Sequence, residues 1–242
     1  MKAEYWLERA KDEGFALGAF NAGNIETLKA IVAAAKKLSS PVIIEASPGE
    51  IEYFGLREMA ATVRALEVDY KVPIILNLDH AVTYESCYQA IELGFDAIHF
   101  DGGKIEYEEN IRIAKMLVGL AHARSVLVEG EMDHIGGSSS DHTSEKASGV
   151  QRLVPYSDPE KAKKFVAETG VDTFASFVGN VHGLYQSKNI DLELLKRIGE
   201  ALPGKFLSLH GGSGIEDAQI KGAIAAGVGR DARGAGSIRA GG

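Results

Sequence analysis

The chain has 242 residues, of which 45% are hydrophobic and 25% charged, with a formal net charge of −8. This is the composition of an ordinary globular protein; its acidic balance argues against broad binding to nucleic acid or anionic membranes, and no apolar run approaches the ~18 residues of a membrane span. A single cysteine, Cys87, excludes an internal disulfide and fits a reducing, cytoplasmic setting, and the acid-bearing amphipathic segment 1–9 does not read as a signal peptide.

Short apolar runs alternate with helical patterns. Strands are predicted at 16–21, 41–46, 74–78, 97–100, 126–131, 173–178 and 206–210. The 3.6-residue apolar period predicts helices at 26–38, capped by Asn24, and at 56–66, 84–93, 108–123 and 158–169. A last one at 191–201 has Asp191 as cap and Pro203-Gly204 as stop. Strand–helix alternation without a break in composition implies a parallel sheet, and seven strand signals favour an α/β fold of the (β/α)8 barrel type. No G-x-G-x-x-G follows the first strand, so a dinucleotide fold is disfavoured.

Two stretches break the alternation. Residues 136–150, small and polar, follow the fifth strand, and a loop of that length and composition is either a lid or a disordered segment. After 220–228 the sequence has neither an apolar run nor a helical period. The expectation is one barrel domain over 1–228, incomplete at strand 8, with a Gly/Arg-rich tail at 229–242. Such a barrel would be open or strained, with sticky edges on its first and seventh strands.

The chemistry-bearing residues sit at strand ends. Asp79-His80 closes the third apolar run, His182 lies soon after the sixth and His210 closes the seventh. In a parallel barrel these ends converge on one face. Three imidazoles there suit Zn²⁺ with an open coordination position, and an acid beside one ligand can move a proton. Glu129 and Glu131 share one strand face, as a polar ring or as metal contacts. His99 reads as a packing residue, His122 as part of a solvated helix face and Cys87 as buried, while His134 and His142 lie near the lid.

Several ordered motifs carry a resemblance. Gly18-Ala-Phe-Asn21, Leu78-Asp-His80, Phe100-Asp-Gly102, Val128-Glu-Gly-Glu131, Gly179-Asn-Val-His-Gly183 and Leu209-His-Gly-Gly-Ser-Gly214 follow one another at the successive strands. The set resembles the class II, zinc-dependent fructose-bisphosphate and tagatose-bisphosphate aldolase family, over about residues 1–228. The resemblance implies a cytoplasmic lyase of carbohydrate metabolism and glycolysis, assembled as a homodimer or homotetramer. It would cleave a phosphorylated ketose, fructose or tagatose 1,6-bisphosphate, into dihydroxyacetone phosphate and glyceraldehyde 3-phosphate.

Carried over by position, His80, His182 and His210 would ligate Zn²⁺ and Asp79 would transfer the proton. Asp101, Glu129 and Glu131 would stand beside the metal, with Glu131 offering an alternative metal position. Gly183, Gly211 and Ser213 would hold one phosphate, often with a monovalent cation (Na⁺ or K⁺). Ser47 would touch the second phosphate, and Asn21 a substrate hydroxyl. The family's loop glutamate has no aligned counterpart, since Ser138-Ser-Ser140 stands in its place; Asp141 and Glu145 are the candidates. Asp133 stands where the family has glycine. The family also continues past position 228 with a further strand and phosphate-binding motif, so the chain is expected to be C-terminally truncated relative to it. That expectation leaves room for a non-catalytic partner subunit, and a metal-free phosphate-binding barrel isomerase is a third reading.

Overall fold

The computed structural model describes residues 2–133, 135, 155–183 and 189–233. The elements follow in order as α1 (Lys2–Glu13), β1 (Leu17–Asn21), α2 (Ile25–Leu38), β2 (Val42–Ala46), α3 (Pro48–Phe54) and α4 (Leu56–Tyr70). Next come β3 (Ile74–Ala81), α5 (Tyr84–Glu92), β4 (Ala97–Asp101), α6 (Tyr107–His122) and β5 (Leu127–Glu131). The chain continues with α7 (Pro159–Thr169), β6 (Thr173–Ala175), α8 (Leu192–Ala201), β7 (Phe206–Leu209), α9 (Asp217–Ala225) and β8 (Val228–Arg233).

Local chemistry sets several boundaries as expected. The Asn24 side chain accepts the Thr27 N–H at the start of α2, and Asp191 accepts the Leu194 N–H at the start of α8. Helix α2 buries Leu28, Ile31, Val32 and Ala35, one stripe at helical spacing, against the sheet. Helix α3 was not anticipated; Ser47 and Glu50 form its capping box, with Pro48 at the first turn.

The eight strands form a closed parallel barrel in the order β1 to β8. The expected gap at strand 8 is therefore overturned, and with it the open or strained barrel. Leu17, Gly18, Ala19 and Phe20 of β1 pair with Arg230, Asp231, Ala232 and Arg233, while Leu207, Ser208 and Leu209 of β7 pair with Val228, Arg230 and Asp231. The physical reason is that propensity is weak beside closure. Two neighbouring strands offer complete rows of hydrogen-bonding groups, and a polar segment that fills the gap satisfies both.

The barrel interior is stratified. Near the strand starts, Leu17, Ala19, Ile43, Ile75, Leu127 and Phe206 form an apolar cluster plugged by Ala3, Leu7 and Ala10 of α1. The outward faces pack on the surrounding helices in a second, larger core. The inward positions nearer the strand ends are polar. Strand β6 is shorter than predicted, and the chain over 176–178 leaves the sheet. Strand β3 runs past Leu78 to Ala81 with an irregularity that puts His80 at φ +48°. The expected lid at 136–150 lies outside the described residues. Among the described residues no helix is long and apolar enough to cross a membrane.

Candidate active site and metal centre

Period-two alternation stacks the functional side chains in two levels at the C-terminal end of the barrel. The upper level holds Asp79, His80, His99, Asp101, Glu131, His182 and His210. The ring centroid of His80 is 4.6 Å from those of His99, His182 and His210. His182 and His210 are 6.0 Å apart, and His99 and His210 4.7 Å. Two sets have ligand atoms within 4.8 Å of one another: Asp79, His80, His99 and His210, and His80, Asp101 and Glu131. His182 stands beside both without belonging to either. The three histidines expected at strand ends are thus brought together, with Asp101 and Glu131 beside them.

The ring orientations matter most. His80 Nδ1 meets Asp101 Oδ2 at 3.1 Å, and its Nε2 is buried without a hydrogen-bond partner. His210 Nε2 meets Glu129 Oε1 at 2.7 Å, and its Nδ1 is likewise left open. A carboxylate fixing one imidazole nitrogen while the other stays free is the arrangement of a metal-ligating histidine. Glu131 adds to it: Oε1 accepts the Ile135 N–H at 3.1 Å, leaving Oε2 buried and open. The donor set fits a borderline-soft divalent metal such as Zn²⁺.

The irregularity in β3 serves the same geometry. The His80 N–H points at His99 Nδ1, 3.2 Å away. His99 Nε2 stands 3.2 Å from Glu131 Oε2, outside hydrogen-bond alignment. Burial opposes a charge on His99, but Asp79 and Glu131 outweigh it and push the imidazole up to about 9. The His80 N–H contact requires a lone pair on Nδ1, so we favour a neutral ring with its proton on Nε2. His99, expected only to pack inside β4, is buried there and also part of the centre. It lies two residues before Asp101, hence on the same strand face, and that spacing was the available signal.

The lower level was missed altogether except for Glu129. Arg230 of β8, 4% exposed, sends Nε and Nη2 to the two oxygens of Glu45 at 3.1 and 2.9 Å. Its Nη1 contacts Glu129 Oε2, and Nη2 reaches Asp79 Oδ1 at 3.3 Å. Burial pushes the Glu45 carboxyl up to about 7, against the pull of Arg230. Burial would also raise Asp79, but His80, His210 and Arg230 outweigh it and hold Asp79 well below the usual carboxylate range. Burial lowers His210 toward the neutral, metal-ready form. For Asp101, hydrogen bonding to His80 and the positive surroundings overcome burial and keep the carboxylate ionised. Glu45 gave one local signal, a lone charge in a strand that must find a partner if buried; Arg230, in a segment that reads as a tail, gave none.

Other expected residues separate. Gly183 and Gly211 have φ of +96° and +64° in the loops after β6 and β7, with Ser213 close behind. A Cβ on Gly211 would lie 2.3 Å from the Val181 carbonyl oxygen, so only glycine lets the His210 and His182 loops touch. Asn21 and Ser47 cap the neighbouring strands β1 and β2 and share one acceptor. Glu50 Oε2 receives Asn21 Nδ2 at 3.4 Å, the Ser47 N–H at 2.9 Å and the Ser47 hydroxyl. Asp133 accepts the Ser157 hydroxyl at 2.6 Å, and burial raises it. Burial pushes the Cys87 thiol up to about 12, far from ligand behaviour. His122 is exposed as expected and meets Asp172 at 2.9 Å. His134, Asp141, His142 and Glu145 lie outside the described residues.

A family model described as fructose-bisphosphate aldolase class-II matches residues 1–230. A fructose-bisphosphate aldolase of Streptococcus pneumoniae is 39% identical over 233 residues, covering 94% of this chain and 76% of that protein. A probable fructose-bisphosphate aldolase of Bacillus subtilis is 38% identical over 226 residues, covering 92% and 76%. Among solved structures, a putative fructose-1,6-bisphosphate aldolase from Coccidioides immitis superposes with TM-score 0.83 at 32% identity, covering 96% of this chain and 81% of that one.

Proposed function

Since the chain belongs to the class II fructose-bisphosphate aldolase family, we propose that it is a Zn²⁺-dependent lyase that reversibly cleaves fructose 1,6-bisphosphate into dihydroxyacetone phosphate and glyceraldehyde 3-phosphate. The observation that carries this reading is the pair of half-satisfied imidazoles: His80 and His210 each have one nitrogen fixed by a carboxylate and the other open. In this reading His80, His182 and His210 hold the metal, with Glu131 as an alternative ligand.

Zn²⁺, when bound, acts as a Lewis acid on the substrate carbonyl. Asp79, adjacent to His80 and held ionised, takes the proton from the hydroxyl on the carbon whose C–C bond breaks; in the reverse direction it returns that proton. Gly183 and Gly211, in the positive-φ turns after β6 and β7, would bind one phosphate together with Ser213, with a monovalent cation (Na⁺ or K⁺) nearby. Asn21 meets a substrate hydroxyl. A second phosphate at Ser47 must first take the serine hydroxyl from Glu50. The enzyme works in the cytoplasm as a homo-oligomer. Fructose is preferred to tagatose because the reported relatives carry the fructose name. The partner-subunit reading loses its premise, since the barrel is closed.

Elemental analysis and a cleavage assay test this directly. We expect about one Zn²⁺ per chain, cleavage abolished by chelation and restored by zinc, and loss of zinc in His182→Ala. Full zinc occupancy in His182→Ala would remove that residue from the ligand set.

A further inference from the structure

We propose that Arg230 is the positioning residue of the centre: its guanidinium, one level below the histidines, fixes Glu129 and Asp79 together and so presets the His210 ring and the proton-transfer carboxylate. The inference rests on the assignment of His210 as a metal ligand and of Asp79 as the acid.

The contacts form a chain with no slack. Glu129 uses both oxygens: Oε2 takes Arg230 Nη1, while Oε1 takes the Ser208 hydroxyl and His210 Nε2. That second bond decides which way the His210 ring faces, leaving Nδ1 toward Asp79 Oδ1, 3.9 Å away. The same guanidinium reaches Asp79 Oδ1 through Nη2, and grips Glu45 with a two-pronged contact from the opposite side. Asn77 Nδ2, at 2.9 Å, holds Glu45 in turn. Every member is buried: Glu45 0%, His210 0%, Glu129 3%, Arg230 4% and Asp79 5% exposed.

Three buried carboxylates therefore converge on one planar cation with five fixed donors. A lysine ammonium offers one point charge and cannot reach three partners in the same plane. Without the guanidinium the carboxylates repel one another, and only the Ser208 hydroxyl is left to hold Glu129 Oε1 toward His210. A ligating histidine is only as well oriented as the group behind it, and here that group is itself held from strand 8. A simple structural ion pair between Arg230 and Glu45 would need neither the Glu129 nor the Asp79 contact.

The test uses the full chain carrying Arg230→Lys, Glu129→Gln and the pair together, each checked for folding by circular dichroism. Zn²⁺ affinity is measured by competition with a chromophoric chelator, and ligand geometry by the visible spectrum of the Co²⁺-substituted protein. We expect Arg230→Lys to weaken Zn²⁺ binding by ~10–100-fold. It should also shift the Co²⁺ spectrum and lower kcat with KM unchanged. Glu129→Gln should act alike, and the double variant should lose no more than the worse single one, because both act through one linkage. Arg230→Met is the more severe version; where it fails to fold, Arg230→Lys decides. Wild-type protein that takes up no Zn²⁺ overturns the metal assignment and this inference with it. Wild-type protein that binds Zn²⁺, with Arg230→Lys matching it in affinity, spectrum and kcat, overturns this inference alone. Additive losses in the double variant do the same.

Discussion

Along β2, β3, β4, β5 and β7 the inward positions change character from one end of the barrel to the other. Ile43 gives way to Glu45 on β2, Ile75 to Asn77 and Asp79 on β3, and Ala97 to His99 and Asp101 on β4. On β5 Leu127 is followed by Glu129 and Glu131, and on β7 Phe206 by Ser208 and then His210. The lower end is an apolar plug sealed by α1; the upper end is a crowd of ionisable groups. A cavity of about 20 Å³, room for a single water, marks the boundary, with Leu7 and Ile43 on one side and Asn77, Glu129 and Arg230 on the other. The contrast teaches a division of labour within single strands. Apolar burial at the lower end stabilises a ring that then holds buried charge, at a cost, at the upper end.

That division can be attacked first from above. Asp79 lies at the top of β3, beside the open imidazole nitrogens but placed to move a proton. Asp79→Ala should retain Zn²⁺ and lose cleavage by ~10²–10⁴-fold, the size of a positioned acid–base group. Steady-state turnover alongside metal analysis reads both. Turnover near the wild-type value would make Asp79 structural and erase the sharp contrast between the two ends.

The lower end should respond in the opposite sense. Leu7 of α1 is 5% exposed and packs in the cluster with Leu17 and Ile43. Leu7→Ala should cost about 2–5 kcal/mol, toward the lower figure because the neighbouring cavity already interrupts the packing. Denaturant unfolding gives the loss. Zinc content and kcat of the folded fraction should not change. A fall in kcat at full zinc occupancy would mean that the plug transmits to the site.

The same gradient explains what the sequence made legible. Strands β2, β3, β5 and β7 announce themselves because their lower halves are β-branched or aromatic and their polar ends carry a histidine or acids. Strand β8 reads Val-Gly-Arg-Asp-Ala-Arg and has no such lower half, so no local pattern distinguishes it from a tail. It is a strand because β1 and β7 hold it on both sides. For the same reason Arg230 was invisible as a site residue: its Glu45 partner is 185 positions away in sequence, and its Glu129 partner 101. His80, His182 and His210 were recoverable because each follows a strand-like run. His99, inside one, was legible only through its spacing two residues before Asp101, since a histidine in a buried strand otherwise looks the same whether it packs or serves a metal.

The smallest expected effect lies at the rim of the lower end. Glu67 of α4 receives Lys2 Nζ of α1 at 2.8 Å and the Ile74 N–H that opens β3 at 3.2 Å, with Arg64 at 3.1 Å. Burial opposes its ionisation, but the Lys2 and Ile74 hydrogen bonds and the charges of Lys2 and Arg64 outweigh it, so the carboxyl sits below the usual range. A depressed carboxyl stabilises the fold above its unfolded value of about 4.3, and the contribution is lost as pH falls through the lower folded value. Lys2 and Glu67 are 31% and 24% exposed, so solvent and salt screen the pair and the term is at most about 1 kcal/mol. Wild type and Glu67→Gln should therefore differ in urea midpoint at pH 7 by that small amount and converge below pH 4. Added salt should narrow the gap at pH 7. A gap that instead widens on acidification would mean that Glu67 folds protonated, and that the rim, like the polar end above it, accommodates a carboxylate at a cost.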